Sequence, residues 1–124
     1  HRDDVRSRTA SVEIQPEGRD TLELDRDLLM IPTPGPTRGH AVYLWREKYL
    51  FTGDHLAWSE SRGHLYAFRS ACWYSWSEQI RSMERLLEFS FQWVLPGHGR
   101  PIKLTSDEMR ASLERCVAWM KKRA

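Results

Sequence analysis

Phe51-Thr52-Gly53-Asp54 and, further along, Leu95-Pro96-Gly97-His98-Gly99 decide how this chain is read. In each, an apolar, strand-like run stops at a glycine turn and presents one side chain able to ligate a metal, a carboxylate in the first and an imidazole in the second. An Asp after Gly in a turn is by itself more often a cap or Asx-turn residue. Its meaning changes when a second strand-end turn presents a ligand and a helix stands between the two. A third turn-rich segment, Thr33-Pro34-Gly35-Pro36-Thr37-Arg38-Gly39-His40, lies upstream.

In order and approximate spacing, these three segments resemble the last three motifs of the metallo-β-lactamase-fold hydrolases. The resemblance implies an α/β (α+β) chain, a partial αββα sandwich made mainly of one β-sheet with two helices packed outside. Residues 1–124 form a single partial domain on this reading, with 1–11 a remnant of the metal loop and 12–124 the second half of the fold. The opening His1-Arg2-Asp3-Asp4-Val5 resembles the front of a His-Arg-Asp-Asp-Val-x-Asp-His loop in a cyanobacterial and plastid branch of that family, some of whose members carry a ferredoxin-like segment. It implies a soluble protein of a plastid or of cyanobacterial cytoplasm.

By the same resemblance Asp54 bridges two zinc ions and takes part in catalysis, His98 completes the second metal site, and His1 with Asp3 or Asp4 are further ligands. The chain departs from the family pattern where the motif reads Thr-Pro-Gly-His-Thr-x-Gly-His, because Pro36 stands at the ligand histidine. Proline offers neither a backbone N–H nor a side-chain donor atom. Ser7 and Arg8 stand where the variant loop would supply its last Asp and His. Zinc is normally held by four ligands, so the two-metal site expected here is incomplete.

His40 takes the second histidine of its motif and is expected to pack behind the ligand loop. His55 should point to the face opposite Asp54 if the strand continues. The stretch from Trp58 to Trp76 is dense in aromatic residues, and because the resemblance places it beside the metal cleft it is expected to line a substrate pocket or a partner surface through Tyr66, Phe68 and Arg69, with His64 facing an anionic substrate. Trp73 and Trp76 are read instead as core and helix-capping residues.

Elsewhere the pattern supplies the elements. Val12 to Gln15 and Leu22 to Leu24 alternate at period two, and Leu28 to Ile31 is a short apolar strand ended by Pro32 and Pro34. Ala41 to Trp45 and Tyr49 to Thr52 flank Arg46-Glu47-Lys48 as a hairpin. Ser75 to Glu78 is a capping box opening a helix to about Ser90, with Trp76, Ile80, Met83 and Leu87 on one face. Phe91 to Leu95 reads as a strand. A second capping box, Thr105 to Glu108, opens a last helix with Met109, Leu113, Cys116 and Met120 on one face.

Nineteen basic against seventeen acidic residues give +2, with the signs interspersed. That distribution argues against nucleic-acid binding, and no apolar run approaches the ~20 residues of a membrane helix. Opening on His1 leads to the expectation of a processed or truncated product. Cys72 and Cys116 are too few for a disulfide framework and are expected to be reduced thiols.

Two functions follow. One is a degenerate scaffold, a pseudoenzyme bound to a protein partner or to a second copy that covers an exposed sheet face, with Val12, Ile14, Leu22, Leu24, Leu28, Met30, Val42 and Leu44 as candidates for that face. The other is a zinc-dependent hydrolase of an ester, thioester or phosphoester whose remaining ligands come from a missing segment or a partner.

Overall fold

The computed structural model describes Gly18 and residues 20–123. The expected strand at Val12 to Gln15 and the residues of the opening loop, His1, Asp3, Asp4, Ser7 and Arg8, lie outside them. Strands β1 (Leu22–Asp25), β2 (Leu28–Pro32), β3 (Ala41–Trp45), β4 (Tyr49–Gly53), β7 (Trp93–Pro96) and β8 (Ile102–Lys103) form one sheet in the order β1-β2-β3-β4-β7-β8. Strands β5 (Ala57–Ser59) and β6 (His64–Tyr66) pair separately, and helices α1 (Trp76–Leu86) and α2 (Ser106–Lys121) complete the order. The class is α+β, as the sequence implied.

Neighbouring strands run antiparallel except β4 and β7, which pair parallel. A parallel pair needs a long crossover, and here β5, β6 and α1 supply it. The β3–β4 hairpin turns through left-handed backbone at Arg46 (φ 54°) and Glu47 (φ 53°), with the Lys48 N–H donating to Trp45 O at 3.1 Å. Two adjacent positive φ values are the geometry that favours Asn-Gly, and Arg and Glu adopt it here at a conformational cost.

Registered pairs share a face. Ile31 pairs with Val42, Leu29 with Leu44, Leu44 with Leu50, and Leu50 with Val94. These side chains pack into the core with Ile80, Met83 and Leu86 of α1 and Met109, Leu113, Cys116, Val117 and Met120 of α2. Both helices therefore cover one face of the sheet. Val42 and Leu44, expected among the residues of an exposed face, lie in this core at 0% and 2% exposure.

The opposite face is also apolar. Leu22 pairs with Met30, Met30 with Tyr43, Tyr43 with Phe51, Leu28 with Trp45, Trp45 with Tyr49, and Tyr49 with Trp93. Met30 is buried, whereas Leu22 is 40%, Tyr43 36%, Trp45 38% and Phe51 43% exposed. Alternation separated the two sets of side chains, but both are apolar, so hydrophobicity alone could not say which one meets the helices.

Ser75 caps α1, its hydroxyl accepting from Glu78 N at 3.1 Å. The Glu78 carboxylate turns to Arg81 instead, so the reciprocal half of the expected box is absent. The helix ends at Leu86, short of the expected Ser90, because Leu87, Glu88 and Phe89 donate to Glu84, Arg85 and Leu86 in a tightened last turn. α2 carries the complete box, with Glu108 N to Thr105 Oγ1 and Thr105 N to Glu108 Oε1. No described helix is long and apolar enough to cross a membrane.

Candidate functional site

The parallel pairing of β4 with β7 brings two carboxyl ends side by side, a common place for ligands in parallel sheets. Gly53 pairs with Pro96, and the Gly97 N–H donates to Gly53 O at 2.9 Å. A Cβ on Gly97 would stand 3.4 Å from Gly53 backbone atoms. Gly53 is left-handed (φ 56°), a conformation that glycine adopts without penalty. The next residue of each turn is then the ligand candidate. His98 Nε2 stands 3.8 Å from Asp54 Oδ1, with side chains 86% and 57% exposed. That is too long for a hydrogen bond and of the order of the gap between two donors of one ion.

The third segment meets the same turn from behind. Thr33 N donates to His40 O at 2.8 Å, and the Thr33 hydroxyl lies 3.0 Å from His40 Nδ1. His40 Nε2 is 3.3 Å from where a Gly53 Cβ would be, and its ring centroid is 5.7 Å from that of His55. After β4 the chain turns, with His55 N donating to Thr52 O and the Thr52 hydroxyl to Leu56 O. Asp54 is left exposed and His55 fully buried. Burial first, and then the neighbouring His40, hold the His55 pKa well below the ordinary imidazole value. Neither His55 ring nitrogen has a hydrogen-bond partner among the described residues.

Backbone contacts fix the loop that carries Pro36. The Ser82 hydroxyl donates to Pro34 O, Gly35 O accepts from Tyr74 N, Ser75 N and Cys72 Sγ, and Pro36 O accepts from Trp73 N. A Cβ on Gly35 would fall 2.4 Å from Gln79 Cβ, so the loop lies flat on α1. Pro36 is buried and offers no donor atom for a metal. Among the described residues no group of three or more His, Cys, Asp or Glu side chains is placed to hold a metal ion. Asp54 and His98 are thus two donors where zinc takes four, and these residues do not by themselves fit a zinc centre.

The aromatic candidates assemble elsewhere, against the helices. Tyr66 meets Phe68 at 4.7 Å and Trp119 at 6.2 Å between ring centroids, and the Arg69 guanidinium lies 4.6 Å from the Trp76 ring centroid. Arg69 Nη1 donates to Arg123 O at 2.8 Å. His64 is buried at 7% exposure with Nδ1 against Leu65 O, not turned toward solvent. Trp76 is core, as expected, its indole N–H donating to Met120 O. Trp73 is not, because its indole N–H donates to Ser70 O while 84% of the residue is exposed. Trp119 escaped the sequence reading, since it lies beside the apolar stripe of α2 and its neighbours are remote in sequence.

No family model matches the sequence, and no curated protein matches it. Solved structures do. A metallo-β-lactamase superfamily protein from the archaeon Sulfolobus tokodaii superposes with a TM-score of 0.59 at 23% identity, over 90% of this chain and 40% of its own. A metallo-β-lactamase family protein from Thermus thermophilus gives 0.59 at 24%, over 87% and 35%. The DIM-1 metallo-β-lactamase gives 0.56 at 22%, over 86% and 46%. The chain spans less than half the length of each of these three proteins. Its fold is that of the matching part of these metallo-β-lactamase-fold structures.

Proposed function

We propose that this chain is a degenerate metallo-β-lactamase-fold protein, descended from a metal-dependent hydrolase, that acts as a scaffold or subunit bound to another protein. The observation that supports this reading is the sheet face opposite the helices, where Tyr43, Trp45 and Phe51 are each more than a third exposed. Burying a large apolar side chain contributes ~1.5 to 3 kcal/mol, so covering several of them rivals a domain's net stability of ~5 to 15 kcal/mol. Pro36 at a ligand position supports loss of the ancestral chemistry. Replacing Trp45 and Phe51 together by threonine tests the role of the face, because both point away from the helix-covered core. The variant should stay folded, bind less apolar dye and lose association. Unchanged association in the folded variant would refute the reading.

The Asp54 and His98 side chains favour a second reading, an active hydrolase of an ester, thioester or phosphoester completed by ligands from another segment or a partner. Elemental analysis for zinc, iron and manganese, run beside assays on those three ester classes, separates the two. Stoichiometric metal with turnover supports the hydrolase.

A further inference from the structure

The end of α2 carries an arrangement that neither reading uses. The guanidinium of Arg62 lies 4.9 Å and that of Arg123 4.5 Å from the centroid of the same Trp119 ring, and Arg62 is also 5.5 Å from Tyr66. Arg69 stands 4.6 Å from the centroid of Trp76, which meets Trp119 edge to face at 6.3 Å. The two indoles thus seat three arginines together. All three are exposed, and no carboxylate of the described residues pairs with any of them.

We propose that this arginine-covered indole pair is a docking surface for an acidic segment of a protein partner. A guanidinium laid on an aromatic face is held in place while its edge N–H groups stay free to donate, so little further ordering is needed when a carboxylate arrives. Among the described residues the only such hydrogen bonds these groups make are Arg69 to Arg123 O and a long 3.4 Å contact from Arg62 to Ser59 Oγ. The charges are spread over two rings instead of converging on one point, which suits successive carboxylates better than a single phosphate. In an extended peptide, side chains on one face repeat every ~6.6 Å, close to the spacing of the two indoles. A nucleic acid would need open aromatic faces for its bases, and guanidinium groups occupy these.

The probe is a fluorescent peptide of about ten glutamates, titrated into the whole chain by anisotropy in about 0.15 M salt. The wild type should bind, and the Arg62→Gln/Arg123→Gln variant should bind about tenfold or more weakly. An Arg81→Gln/Arg100→Gln control, which removes two ion-paired surface arginines elsewhere, should bind as the wild type does. Thermal melts accompany each variant because the arginines also shield apolar rings. If the double variant does not fold, Arg69→Gln, which uncovers one indole, carries the same test. Absence of wild-type binding, equal loss in the control, or tighter binding of an oligothymidylate or of inorganic phosphate would overturn the proposal.

Discussion

His98 Nε2 and Asp54 Oδ1 face each other across 3.8 Å at the ends of two parallel strands, joined underneath by the hydrogen bond from Gly97 to Gly53. Two exposed donors hold an ion only weakly. Calorimetric zinc titration should therefore find no pair of tightly bound ions per chain, and Asp54→Ala or His98→Ala should each remove whatever weak binding exists. Pro36→His should raise affinity substantially only when a partner segment supplies the upstream ligands. A tight site in the single variant would mean that His40 or His55 also serves as a ligand.

Gly35 has no room for a side chain, since its Cβ would lie 2.7 Å from Gln79 Cα as well as against the Gln79 side chain. Backbone on both sides cannot yield cheaply. Gly35→Ala should cost ~1 to 3 kcal/mol in urea unfolding, the usual range for overpacking. An unchanged midpoint would show that the loop lifts freely from α1.

At the start of α2, Thr105→Ala should cost about 1 kcal/mol through loss of the cap. Hydrogen bonding, first to the Thr105 backbone and then to its hydroxyl, holds the Glu108 carboxyl below its ordinary value. A depressed acid stabilises the fold above its unfolded-state pKa, and that contribution is lost as pH falls through the folded-state value. Glu108→Gln should accordingly cost stability at neutral pH and flatten the acid limb of the melting curve.

Cys116 is fully buried on α2, and burial pushes its thiol from 9.0 up to about 12. Above pH 9 the unfolded chain loses this proton while the folded chain keeps it, so stability falls as pH rises between 9 and about 12. Cys116→Ala should flatten that alkaline fall, although it lowers stability at neutral pH by leaving a cavity. Thiol reagents should modify Cys116 only upon unfolding. Rapid labelling of the native protein would contradict its burial.

Much of the sheet was legible because the alternation of β1, the apolar run of β2 and the charged turn between β3 and β4 mark these strands without help from the rest of the chain. The helices were legible from their apolar stripes and from Ser75 and Thr105. Strands β5 and β6, three residues each, were not. Their aromatic content read as surface lining, and they are held by long-range contacts such as Leu65 N to Ser112 Oγ. The juxtaposition of Asp54 with His98 was implied by the order of the motifs. The seating of Arg62 and Arg123 on Trp119 was not, because nothing local in the sequence ties residues so far apart.

The central claim, that the aromatic face of the sheet is a covered surface in the working protein, is tested most directly by sedimentation of the purified chain at micromolar concentration with an apolar dye present. The account predicts a self-associated species, or a monomer that binds dye through the face bearing Tyr43, Trp45 and Phe51 until a partner is added. A compact monomer that melts cooperatively and binds no dye would contradict it.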